Sequence, residues 1–209
     1  NEKLNIRIMI LLCLTGMNFC DIQDIKVSDF FLDDGTENKQ IDENDLKPIN
    51  LYIKKTRKKL KIVDKKLIPI IPITHELSDV LLLSFSGYEE IYKSGKYISR
   101  ISSFFREETI PITRLWNLMF SLRAMKKEER LELLPSYPYL IPKVHNVVFN
   151  REIKLVLDKI GLNYHIKLVQ GTNQNQIEEL IIPKCEGVCS RTGRRSYITN
   201  SLSKGIHPS

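Results

Sequence analysis

Two adjacent arginines, Arg194 and Arg195, stand in the run RTGRRSYITNSLSKGI at 191–206. The periodicity predicts a helix over 194–204, closed by Gly205, and the first N–H groups of a helix favour an anion. A guanidinium beside such donors can hold two oxygens of one phosphate. Positive charge at a helix N-terminus is mildly unfavourable by itself. Two arginines set against the dipole therefore suggest an anionic partner. The competing reading is a pair of solvated surface arginines in a first helical turn. A second cationic cluster, from Lys54 to Lys66, holds Lys54, Lys55, Arg57, Lys58, Lys59, Lys61, Lys65 and Lys66 against one Asp64. It follows an acidic stretch, Asp33 to Asp45, with Asp33, Asp34, Glu37, Asp42, Glu43 and Asp45 against Lys39. This segregation makes the basic block a candidate phosphate-facing element, the alternative being a solvated hairpin with charged tips.

The whole chain agrees with a polyanionic partner. It has 209 residues and a formal net charge of +7, and each phosphate neutralised by a protein cation releases counterions. Hydrophobic residues at 42% and charged residues at 27% suit one globular domain, or at most two small ones. The longest apolar stretch, Ile8 to Leu14, is too short to span a bilayer. No cationic start with an apolar core and a cleavage site is present, so a cytoplasmic location is expected. Cys13 and Cys20 sit in or just after an apolar helical pattern and are expected as buried free thiols. Cys185 and Cys189 are spaced C-x3-C without a second pair or a suitably placed histidine, so no metal site is expected.

The positioning elements follow from periodicity and punctuation. Residues 4–14 read as a largely buried helix, broken at Thr15-Gly16. Asp21 reads as the N-cap of a second short helix, IQDIKVSDF, with Ile22, Ile25 and Val27 inward. Residues 33–48 are polar and turn-rich and read as loop, with an irregular strand as the alternative. Strands are expected at 49–53, 60–63 and 67–71, with the lysines in the turns and Pro69 and Pro72 placing the last strand at an edge or end. Thr74 caps a helix, HELSDVLLLSF, with Glu76 in its first turn. Residues 88–140 read as mostly helical, with breaks at Pro135, Pro138 and Pro142. Asn150 reads as the opening of an amphipathic helix, REIKLVLDKIG, that Gly161 ends. Residues 163–182 suit a hairpin or a long loop.

Three blocks in order then carry a resemblance. LLCLTGMNFCDIQDIKVSDF (11–30) resembles the first conserved block of tyrosine recombinases, the phage-integrase family. YIKKT (52–56), its basic turn and LIPI resemble the family's β-hairpin, whose turn lysine reaches the active site. RTGRRSYITNSLSKGI resembles the block built on a His-x-x-Arg pair. LIPKVHNVVFNREIKLVLDKIGL (140–162) also resembles integrases of conjugative transposons and other mobile elements. The resemblance runs from about residue 4 to the end and is weakest over 88–138, a connection longer than is usual in the family.

The resemblance implies a mainly α (α+β) catalytic domain over 1–209, with a small antiparallel sheet of about three strands carrying Lys55 at one edge. It implies double-stranded DNA as partner, a homo-oligomer on DNA, and no membrane. The implied chemistry is strand breakage and rejoining through a 3′-phosphotyrosyl link, with arginines neutralising developing charge and no metal or other cofactor. Arg194 matches the second catalytic arginine. Lys55 matches the hairpin lysine, with Lys54 and Lys58 as rivals because the register is open. Lys54, Arg57, Lys58, Lys59 and Arg195 are the implied DNA contacts. Two positions depart from the pattern: Asn18 stands where the first arginine belongs, and Arg191 where the first histidine belongs. Asparagine carries no charge and cannot grip a phosphate with two parallel bonds, a loss of about 3–4 kcal/mol in the barrier by analogy with other anion-stabilising donors. Tyr197 occupies a packing-aromatic position, and the resemblance places the nucleophilic tyrosine beyond Ser209. As given, the polypeptide is expected to make no covalent DNA link. Three functions follow: a recombinase catalytic-domain fragment, a DNA-binding paralogue that has lost catalysis, and a helical interaction domain without a DNA role.

Overall fold

The computed structural model describes residues 2–33, 41, 49–54, 70–83, 111–171 and 177–205. Its helices are α1 (Glu2–Thr15), α2 (Phe19–Gln23), α3 (His75–Leu83), α4 (Pro111–Ala124), α5 (Lys127–Leu133), α6 (Asn146–Lys159) and α7 (Ser190–Ser203). Its strands are β1 (Phe30–Leu32), β2 (Leu51–Lys54), β3 (Ile70–Pro72), β4 (His165–Gly171) and β5 (Ile177–Pro183). The chain is mostly helical with a small three-stranded antiparallel sheet. It divides into two compact units, one of Asn1–Phe19 with Val144–Ser209 and the other of Cys20–Lys143. No described helix is long and apolar enough to cross a membrane.

In the first unit α1, α6 and α7 pack together, with α7 lying along α1. The α1 face that buries Ile8, Leu11, Leu12 and Thr15 supplies much of its core. Phe149, Ile153 and Val156 of α6 complete it at i, i+4 and i+7 spacing. Phe19 meets Phe149 with ring centroids 4.8 Å apart. The helix at 4–14 is less covered than its composition suggests, since Ile6, Ile10 and Leu14 remain 37%, 39% and 36% exposed. A sequence apolar on nearly every side, with the polar Asn5 itself buried, weakens the signal that would tell the covered face from the open one. Thr15 and Gly16 end α1 as expected. Gly16 has φ +63°, and a Cβ there would sit 2.4 Å from the Tyr197 ring, so both backbone and space require glycine. Within the region 163–182, β4 and β5 pair antiparallel, Leu168 opposite Leu180. Ile166 and Ile182 lie over Gly187 in the short 3₁₀ turn Lys184–Gly187.

In the second unit β2 is central, pairing antiparallel with β1 (Phe30 opposite Ile53) and β3 (Tyr52 opposite Pro72). Pro72 closes an edge strand, where a missing N–H costs no ladder bond. Phe30, Leu51 and Ile53 face inward, while Phe31 and Tyr52 stack at 5.6 Å. α3 packs on α4, and α4 buries Leu115, Trp116, Met119 and Leu122. Arg123 Nη2 donates to the Val27 and Phe30 carbonyls at 2.9 and 2.6 Å, with its guanidinium 5.4 Å from the Trp116 ring centroid. The fully buried Asn117 bonds both backbone groups of Ile41, its Oδ1 accepting at 3.3 Å and its Nδ2 donating at 3.1 Å.

Several local expectations change. The second helix starts at Phe19 and ends at Gln23, so Asp21 lies inside it rather than capping it. Residues 27–29 form a 3₁₀ turn and Phe30–Leu32 a strand. The β-branched Ile25 and Val27 resist helix, and β2 offers the chain a pairing edge. The helix expected to open at Asn150 begins at Asn146, where the His145 side chain accepts from the Val147 N–H. Cys20 is exposed and Cys13 half-buried, not both buried, and all four cysteines are free thiols. The strand expected at 60–63, the acidic stretch apart from Asp33, and residues 84–110 lie outside the described residues.

Candidate nucleic-acid interface

α7 carries Arg191, Arg194 and Arg195, which share one side of the helix at i, i+3 and i+4. The helix starts at Ser190, earlier than the periodicity predicts. Arg191 therefore lies in the first turn, and Arg194 and Arg195 stand past the opening, not at it. The first N–H groups are also taken by the protein. Ser190 donates to Asn150 Oδ1 at 2.8 Å. The Arg191 and Thr192 N–H groups turn to Cys189 Sγ, and Thr192 Oγ1 accepts from the Cys189 N–H at 3.0 Å. The helix-end anion site expected from the sequence is thus filled from within, and the guanidinium side chains are the cationic groups left on this face.

Arg194 Nη1 donates to Asn18 Oδ1 at 3.2 Å, across 176 residues of sequence. Among the described residues Asn18 is the one side-chain partner of Arg194, which leaves most of the guanidinium's donors available to a ligand. Arg191 and Arg195 are exposed. Among the described residues no carboxylate lies within ion-pair distance of any of the three. From Gly187 to Ser209 the sequence has four cations, Arg191, Arg194, Arg195 and Lys204, and no acidic residue. The positive potential is therefore not cancelled within its own segment. Glu186, just before it, is held by Lys154 at 2.9 Å.

Of the remaining expected contacts, Lys54 alone is among the described residues. Lys54 ends β2 as an exposed residue of the second unit. Lys55, Arg57, Lys58 and Lys59 lie outside the described residues. Tyr197 packs on Gly16 and is 39% exposed. Among the described residues no group of three or more His, Cys, Asp or Glu side chains is placed to hold a metal ion.

Two features escaped sequence reasoning. Gly193 is buried where α7 crosses α1, and a Cβ there would lie 2.5 Å from Leu12 Cβ and 3.1 Å from the Leu12 carbonyl carbon. A glycine one residue before an arginine pair inside a helical pattern was the available signal. Cys189 is the N-cap of α7. Burial pushes its thiol up, but the Arg191 N–H, the Thr192 hydroxyl and N–H, and the charge of Arg195 outweigh burial and hold it below its usual range. No protein-family model, curated protein or solved structure matches the chain.

Proposed function

We propose that this chain is the DNA-binding catalytic-domain fragment of a site-specific tyrosine recombinase, and that the α7 arginine face holds backbone phosphates of duplex DNA. One observation carries the reading. The resemblance assigns residues 18 and 194 to the two arginine positions of one phosphate pocket, and their side chains meet at 3.2 Å. Nothing in composition or local periodicity brings positions so far apart in sequence together. Arg194 is the central phosphate ligand, with Arg191 and Arg195 flanking it. Asn18 orients Arg194 by accepting its Nη1 hydrogen bond.

A second reading has its own support. Asn18 is neutral, so the pocket lacks one of two preorganised charges for a pentacovalent phosphorane. This favours a paralogue that binds DNA and does not cleave it. In either case affinity for duplex should fall steeply with salt. The slope of log K against log salt should shrink by about one when Arg194 becomes alanine. Fluorescence anisotropy over a salt series measures it. A flat salt dependence of the wild type would favour the interaction-domain alternative and end the DNA reading. Neither of the other two readings gives the chain as it stands a nucleophile, so a suicide duplex should yield no denaturant-resistant protein–DNA band from it, and a band would refute both. A parent sequence carrying a tyrosine block after residue 209 favours the recombinase fragment over the binding-only paralogue.

A further inference from the structure

We infer that Asn150 is a positioning residue that fixes the start of α7 and thereby aims Arg191 and Arg194. The inference rests on the DNA reading above and extends it to a residue that touches no phosphate. α7 buries Ser190 and Gly193, and its other side chains are half-buried or exposed. A helix so thinly covered is not held in place by a hydrophobic stripe, as most surface helices are. Its placement depends on a few anchors at its N-terminal half. Gly193 sets how close α7 comes to α1, since its Cα faces Leu12 and Cys13 without room for a Cβ. The Tyr197 ring on Gly16 adds a second contact.

Both contacts lie past the first turn, and neither holds the Ser190 end of the helix. The Asn150–Ser190 bond does. The Ser190 N–H is one of the donors that a helix cannot satisfy internally. Its acceptor is not the residue before it but Asn150 Oδ1 on α6, 40 residues earlier and 2.8 Å away. Asn150 sits inside α6, where a helix-interior asparagine is a mildly poor choice by propensity. That cost has a compensating role here: its amide caps a different helix and ties α7 to α6. Cys189, the residue at the N-cap itself, supplies sulfur and not a strong oxygen acceptor. A one-residue shift of the first turn, ahead of Gly193, turns its side chains by about 100° and moves them about 1.5 Å. Either motion takes Arg191 off the shared face and, carried into the next turn, Arg194 away from Asn18.

The test uses the full chain with Asn150→Leu, which removes the acceptor at similar size, and Asn150→Asp, which keeps it. The expected result without DNA is loss of amide exchange protection at Ser190 in Asn150→Leu and retention in Asn150→Asp. With a duplex oligonucleotide, Asn150→Leu should reduce the salt slope by about one to two, the contacts Arg191 and Arg194 supply. In an Arg194→Gln background the further loss should shrink to the Arg191 contact alone, about one or less, because the remainder runs through Arg194. A uniform loss of affinity at unchanged slope, or equal losses in both backgrounds, would overturn the positioning role and leave a purely structural bond. If the wild type fails to bind duplex, the DNA reading falls and the exchange data judge the lock alone. In that case unchanged Ser190 protection in Asn150→Leu overturns it, and selective loss supports it.

Discussion

Replacing Gly193 by alanine sets two known effects against each other, and the structure decides the sign. In an open helix the change stabilises by about 1 kcal/mol, because alanine loses less backbone freedom than glycine. Here the new methyl would lie 2.5 Å from Leu12 Cβ, 3.1 Å from the Leu12 carbonyl carbon and 3.2 Å from the Cys13 nitrogen. Carbon contacts are comfortable near 3.5–4.0 Å, so the two helices must separate by about 1 Å. None of the three obstacles is a rotatable side-chain tip, so relief requires backbone movement. Such overpacking costs about 1–3 kcal/mol, with the upper end expected where backbone blocks the way. The net expectation is a loss of about 2 kcal/mol. Urea unfolding followed by circular dichroism should show a lower midpoint with an unchanged slope. The same displacement carries Arg194 away from Asn18, so duplex affinity should fall at urea concentrations where the variant is still folded. A Gly193→Ala protein as stable as the wild type, or more so, would refute the close α1–α7 crossing and the site built on it.

Three further outcomes follow. Asn18→Arg removes the acceptor for Arg194 and adds a second guanidinium beside it. The melting temperature should drop in dilute buffer and recover with sulfate, and the salt slope for duplex should rise by about one; an unchanged slope would contradict a shared phosphate pocket. The Lys159 hydrogen bond and charge hold the exposed Glu2 carboxyl below its ordinary 4.5, and Glu2 in turn raises the Lys159 amine above 10.5. The pair's contribution is therefore complete above pH 4.5 and below 10.5. It is lost as pH falls through the depressed Glu2 value or rises through the elevated Lys159 value. Glu2→Gln should melt slightly lower than wild type at neutral pH and equal to it in acid; a gap that persists in acid would count against the pairing. Finally, Cys189 should alkylate faster than Cys13 near neutral pH. Burial raises the Cys13 thiol, while α7 N–H donors and Arg195 lower that of Cys189 despite burial. Mass spectrometry of iodoacetamide-treated protein ranks the two, and faster labelling of Cys13 would refute the N-cap assignment.

The sequence by itself determined most of the local structure. Thr15-Gly16 ended α1, Gly161 and Gly205 closed their helices with positive φ, and the alternation in LYI made β2. These signals act through one residue's own conformational limits, so neighbours suffice to read them. The cationic α7 face was legible for the same reason. Tertiary structure alone decided what pairs over distance. Phe30–Leu32 became a strand because Leu51–Ile53 was there to meet it, although its flanks spelled helix. Asn150 capped α7 instead of its own helix because Ser190 presented a buried N–H to it. Gly193 is needed because Leu12 lies against it. The apolar residues on every side of α1 hid which side is covered, since burial is fixed by the partner surface and not by the helix. The meeting of Asn18 with Arg194 was expected from resemblance, never from composition. A hydrogen bond spanning 176 residues depends on the packing of everything that brings the ends together.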